Sequence, residues 1–209
     1  MIRINWHEIS KYREQLPSIR RTKRIADYRS FALRYIGRLD SVLDIGCSDG
    51  TYLHDYLLPF GHKGKYVGMD IDTDLSVDFP LYQSLDEIPD VFDSVLMFDI
   101  VEHEDLSQFL EQLKIISTTL LRPGGKLLIS TPNVYSLDNI HTDVTHRTFY
   151  PYKDLYSILR FFNFNKISTY RVGKITNLLH TALFYSTLIN LDFCGNIFVC
   201  AYAPDLRAR

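Results

Sequence analysis

Cysteine is scarce in this chain of 209 residues: Cys47, Cys194 and Cys200 are odd in number and form no Cys-x-x-Cys pair. That pattern excludes a disulfide scaffold or a cysteine-held structural zinc and favours a reducing compartment. Long apolar runs are also missing. Nothing approaches the roughly 18 uninterrupted apolar residues of a membrane-crossing helix, and the opening "MIRINWHEIS" lacks the apolar core of a signal peptide. The expectation is a cytoplasmic protein with no transmembrane segment. There is no internal repeat, low-complexity tract or linker, so a chain that is 46% hydrophobic and 23% charged is read as a globular α/β fold with a substantial core.

Charge of one sign is lacking in the total, which is −2, but not in the distribution. Residues 1–38 carry ten Lys/Arg against three Asp/Glu, while 39–209 carry 13 against 22. We therefore divide the chain into a basic helical arm or lid over 1–38 and a body over 39–209. Ile25, Tyr28, Ala32, Tyr35, Ile36 and Leu39 recur at helical spacing, which predicts an amphipathic helix through "RRTKRIADYRSFALRYIGRL". Arg20, Arg21, Lys23 and Arg24 at its start are either a solvated face or a guard over an anionic substrate.

Beyond the arm, short apolar runs alternate with helical patterns, the signature of a doubly wound parallel sheet. Strands are predicted at 41–46, 65–70, 80–83, 93–98, 126–131, 165–171 and 196–202, with helices at 50–58, 105–121 and 151–161. This is a Rossmann-like, mostly parallel seven-stranded sheet with helices on both faces. In such folds ligands bind outside the carboxyl ends of the strands, which places "VLDIGCSDG" at the crevice. A dinucleotide fingerprint needs glycine at 46, 48 and 51, and the chain has Gly46, Ser48 and Thr51. A phosphate-binding loop fails as well, since no Gly-Lys-Ser/Thr follows. What remains is Asp44 at a strand end with Gly46 and Gly50 flanking the turn, suited to a cationic amino-acid group. The next strand, "KYVGMD", ends in Asp70, an acid placed to take both hydroxyls of a ribose. Together they suggest a nucleoside joined to an amino acid.

With "VLDIGCSDG", "YVGMDID", "FDSVLMFDIVEHEDL" and "LRPGGKLLISTPN" in order over residues 41–133, the chain resembles the class I S-adenosylmethionine (SAM)-dependent methyltransferases. Ser48 departs from the family's frequent glycine. The resemblance implies that Asp44, Gly46, Cys47 and Gly50 surround the methionine part of SAM and that Asp70 holds the ribose. It further implies that Ile71 packs on the adenine, that Ser84 or Leu85 meets its edge, and that Phe98 and Asp99 lie beside the amino acid and sulfonium. "LRPGGK" has a purely structural explanation: a helix ends, Pro123 and Gly124 turn the chain, and a strand begins.

Methyl transfer from a sulfonium asks mainly for in-line positioning and, with a hydroxyl acceptor, removal of its proton. "HTDVTHRTFYPYKDL" offers His141 and His146 as candidate general bases, the role histidine commonly fills, and His146 is preferred because Arg147 and "FYPY" anchor its loop. "DIVEH" holds Asp99, Glu102 and His103, similar to a Glu-x-x-Glu-His arrangement that binds a divalent ion in ubiquinone-pathway and Hen-type RNA methyltransferases. Glu-His here is widespread in class I enzymes without a metal, so none is expected.

Residues 178–191, "LLHTALFYSTLINL", are apolar but interrupted, and we expect core or dimer packing there rather than an acceptor roof or a membrane contact. The expected activity is O-methylation of a small-molecule or glycan-type acceptor, which the basic arm allows to be anionic. An acidic body and the lack of an appended RNA-binding module count against nucleic acid. RNA 2′-O-methylation and a non-catalytic SAM-fold binding protein are the alternatives.

Overall fold

The computed structural model describes residues 6–136, 143–173, 192 and 194–204. Eight strands form one sheet, β1 (Lys23–Ile25), β2 (Val42–Ile45), β3 (Tyr66–Met69), β4 (Leu81–Tyr82), β5 (Phe92–Phe98), β6 (Leu121–Pro132), β7 (Asn165–Val172) and β8 (Asn196–Tyr202). Their order is β1-β7-β8-β6-β5-β2-β3-β4. β8 pairs antiparallel with both β6 and β7, and every other pairing is parallel.

The strands at the middle carry apolar runs, as a sheet covered on both faces requires: Val42, Leu43, Val95, Leu96, Met97, Leu127, Leu128 and Ile129 are all buried. One face packs α1 (Trp6–Arg13), α4 (Leu106–Ile115) and α5 (Tyr152–Phe161) through Ile9, Phe109, Leu113, Leu155 and Ile158. The other packs α2 (Tyr28–Ala32) and a π-helical turn, Leu53–Leu57, running into α3 (Leu58–Phe60), through Tyr28, Ala32, Leu53 and Leu57. The chain runs from β2 outward to β3 and β4, then returns to β5 on the other side of β2. The order thus reverses between β2 and β5, and a crevice opens at their carboxyl ends.

The arm differs from its prediction. In place of one helix through residues 20–39, the chain makes a 3-10 turn at Ile19–Arg21, the edge strand β1, and then α2. β1 is the eighth strand that the seven-stranded prediction lacked. Helical periodicity is overridden because Lys23–Ile25 finds backbone partners along β7, and the buried Arg171 donates from Nε and Nη2 to the Thr22 carbonyl at 3.3 and 3.1 Å. α2 starts where Asp27 accepts from the Arg29 and Ser30 amides at 3.2 and 2.9 Å. The arm therefore passes around the β7 edge, from the α5 face to the opposite one.

"LRPGGK" behaves as read. The register with β5 slips between Leu121 and Lys126, and Gly124 takes φ +74° at the turn. Gly125 has no room for a side chain, since a Cβ would lie 2.9 Å from the Arg122 carbonyl.

Candidate active site

Near the carboxyl end of β2, before the turn, stands a buried acid. Asp44 accepts from the Tyr66 hydroxyl at 2.6 Å, and burial pushes its carboxyl up to about 7 against that hydrogen bond. Gly46 and Gly50 both have left-handed backbones, φ +74° and +82°. A Cβ on Gly46 would stand 2.6 Å from Ile100 Cδ1, and one on Gly50 would collide with the Phe79 ring. Ser48 is left-handed too, φ +48°, which is the physical reason the family favours glycine at its position. Cys47 is buried with its sulfur facing Gly68. All three cysteines are free thiols.

Asp70, just past β3, accepts from the Ser48 amide at 2.9 Å and so ties the first turn to the second. Beside it lies a cleft of about 240 Å³ whose walls include Ile45, Gly46, Met69, Asp70, Ile71 and Ile100, together with His103 and Arg147. Ile71 is 85% exposed and free to cover a flat ring. Ser84 and Leu85 are not in this wall. Ser84 caps the 3-10 turn Leu85–Glu87 by accepting from the Asp86 amide at 3.4 Å, and Leu85 is buried in the core.

Phe98 and Asp99 end β5. The Phe98 ring turns toward α2 and the start of the π-helical turn, edge-on to Tyr28 and Tyr52 with centroids 5.3 and 5.0 Å away. Asp99 has φ +53°, and its carboxylate is surrounded by donors. Oδ1 accepts from Ser130 Oγ at 2.8 Å and Asn196 Nδ2 at 3.1 Å; Oδ2 accepts from the Tyr28 hydroxyl and faces Arg29 Nη2 at 3.4 Å. The arm thus reaches the strand ends through α2.

Next to the cleft stands a second group. Glu102, His103 and His146 bring one ligand-capable atom each within 4.8 Å of one another, and the two imidazoles meet edge to face at 4.9 Å. Glu102 is 2% exposed, its Oε2 has no hydrogen-bond partner, and burial pushes its carboxyl up to about 7, with the nearby charges of Asp99 and Asp143 adding to the rise. His146 Nε2 lies 3.7 Å from Asp143 Oδ2, and His103 Nδ1 lies 3.0 Å from Thr145 Oγ1. The Arg147 and Thr148 amides donate to the Glu102 carbonyl at 2.8 and 3.1 Å, pinning this loop beneath β5. Asp99 is not in the cluster; its oxygens face Tyr28, Arg29, Ser130 and Asn196 instead. His141 and the segment 178–191 lie outside the described residues.

Sequence reasoning missed Tyr28, Arg29, Tyr66, Ser130 and Asn196. Tyr66 was within reach, because the parallel register sets it opposite Val42, two residues before Asp44 and on the same face. Tyr28 and Arg29 sit in a segment without a motif, and only the fold brings them to β5.

Residues 12–169 match the methyltransferase domain family. Comparison with curated proteins yields no match. Among solved structures, a SAM-dependent methyltransferase from Archaeoglobus fulgidus superposes with a TM-score of 0.66 at 22% identity, over 84% of this chain and 92% of that one. The methyltransferase domain of a bacterial Hen1 gives 0.60 at 14% identity, over 85% and 95%. The N-methyltransferase NodS from Bradyrhizobium japonicum gives 0.53 at 12%, over 85% and 94%. The chain belongs to the methyltransferase domain family and is a class I SAM-dependent methyltransferase. SAM is its cofactor, and the residues at the strand ends fit it: Asp70 for a diol, exposed apolar walls for a base, acids at β2 and β5 for an ammonium. Among the described residues no helix is long and apolar enough to cross a membrane.

Proposed function

We propose that the protein is an O-methyltransferase for a small-molecule or glycan-type acceptor, with the basic arm at 1–38 bordering an acceptor that is itself anionic. Asp44, Gly46, Cys47 and Gly50 surround the amino-acid end of SAM, Asp70 holds its ribose and Ile71 covers its adenine. Bound SAM supplies an electrophilic methyl on a sulfur that leaves as a neutral thioether. The chain's own residues then need only aim the acceptor and take its proton. His146 takes that proton, and Asp143 stabilises the resulting imidazolium. The observation that carries this reading is the pair His103 and His146 beside the cleft that Asp70 and Ile71 line.

The first experiment is calorimetric titration with S-adenosylhomocysteine, using NAD as control, followed by an acceptor screen of sugars and phenols. Micromolar binding of the product with silence toward NAD is expected. His146→Ala is then expected to lower turnover by about 100-fold or more, the usual weight of a general base, at unchanged product affinity. Equal turnover in the variant removes His146 from the chemistry, and absence of product binding turns the reading toward a non-catalytic scaffold.

A second reading has its own observation. Glu102, His103 and His146 have the composition of a divalent-cation site, and the unpartnered Oε2 of Glu102 is a ready ligand atom. In this reading a bound ion orients a vicinal diol such as an RNA terminus, and likeness to a Hen1 domain supports it. Titration of the chelator-treated chain with Mn²⁺, in wild type and Glu102→Gln, separates the two: saturable binding lost in the variant favours the metal reading, and no heat in either favours His146 as a base.

A further inference from the structure

Asp44 and Asp99 stand near the carboxyl ends of the neighbouring strands β2 and β5. Two acids there attract the ammonium of an amino acid and repel its carboxylate. A site that takes the whole zwitterion is favoured by a cation set to one side of the acids.

α2 brings one. The Arg29 guanidinium rests over the Tyr28 ring, 5.0 Å from its centroid. Its backbone is fixed at both ends: the amide donates to Asp27, and the carbonyl accepts from the Tyr52 hydroxyl at 3.1 Å. Its only short contact with the acids is the 3.4 Å approach of Nη2 to Asp99 Oδ2, and the side chain is still 43% exposed. Asp99 does not depend on that approach, since Ser130, Asn196 and Tyr28 already donate to it. A guanidinium carries five N–H donors in a planar fork matched to a carboxylate, so most of Arg29's donor capacity remains. Arg147 is another cation at this crevice, but it stands with Asp70 and Ile71 in the cleft, on the nucleoside side, and approaches Asp105 at 3.9 Å.

We infer that Arg29 is the positioning residue for the carboxylate of the cofactor's amino-acid end, making α2 of the basic arm a wall of the cofactor site. This rests on the reading of Asp44 and Asp70 as cofactor residues. Arg29 then confers selectivity for the intact amino acid over an adenosyl amine that lacks the carboxylate.

Calorimetric titration of wild type, Arg29→Met and Arg29→Lys tests it with two ligands: S-adenosylhomocysteine, and its decarboxylated analogue, which keeps the amine and loses the carboxylate. Arg29→Met is expected to weaken S-adenosylhomocysteine by about 10- to 100-fold, the weight of a charged hydrogen bond, and to leave the analogue unchanged. Arg29→Lys falls between, because it keeps the charge and loses the fork. The preference for S-adenosylhomocysteine over the analogue is expected in wild type and absent in Arg29→Met. Equal losses for both ligands, or no loss for either, overturn the assignment of Arg29 while the cofactor reading stands. Silence of the wild type toward both ligands overturns the cofactor reading, and this inference with it. Thermal midpoints of the variants near that of wild type confirm that the binding changes are local.

Discussion

At the scale of residues, the first turn of the site depends on one backbone position. Gly46 and Gly124 share φ +74°, but a Cβ on Gly46 meets Ile100 while one on Gly124 meets nothing within 4 Å. Gly124→Ala carries only the left-handed penalty of about 1–2 kcal/mol. Gly46→Ala adds steric overlap, so its loss of unfolding free energy in urea is expected to be the larger by about 1 kcal/mol or more. Equal losses in the two variants refute a crowded Gly46. Much of this was legible in the sequence, since "DIGCSDG" points to a turn that needs glycine. The register of the acids was not: Asp99 was expected at the end of its strand, where it stands, yet its four side-chain partners come from α2, β6 and β8, none of them near it in the chain.

At the scale of elements, the arm shows where periodicity misleads. The apolar spacing from Ile25 to Leu39 is real, but Leu39 is 78% exposed and Ile25 lies in β1. The strand forms because an unpaired β7 edge and a buried arginine offer its backbone more than a helix's own hydrogen bonds would. Those partners lie roughly 150 positions away, and no local pattern announces them. Arg171 also pairs with Asp192 at 3.4 Å, with both side chains almost fully buried. Arg171→Met removes the cation facing the buried Asp192, which keeps its hydrogen bonds from the Asn133 side chain and the Cys194 amide, and frees the Thr22 carbonyl. A loss of about 3–5 kcal/mol is expected from urea unfolding, and a loss under about 1 kcal/mol shows that the arm is held by packing alone.

At the scale of the whole molecule, two buried carboxyls and a half-buried one set the response to pH. Asp44, Glu102 and Glu104 are each raised to about 7 by burial, from ordinary values of 3.8, 4.5 and 4.5. Between the unfolded and folded values the native chain keeps protons that the unfolded chain has released. Stability without ligand is therefore greatest near pH 4, falls as pH rises toward 7, and levels off above it. Thermal midpoints across pH 4.5–7.5 are expected to fall less steeply in Asp44→Asn and Glu102→Gln than in wild type. Parallel curves refute the burial argument for those groups. The doubly wound plan itself was readable from alternating apolar runs, because strands covered on both faces must be largely apolar.

The two borders of the sheet are its shortest strands, β4 with two residues and β1 with three, and Lys23 and Arg24 of β1 face solvent. So few free backbone groups give a foreign strand little to zip onto, and the cationic fringe of β1 repels its own kind. Cross-β polymerisation is discouraged at both margins, and a second copy of the chain must meet this one through side chains rather than by lengthening the sheet.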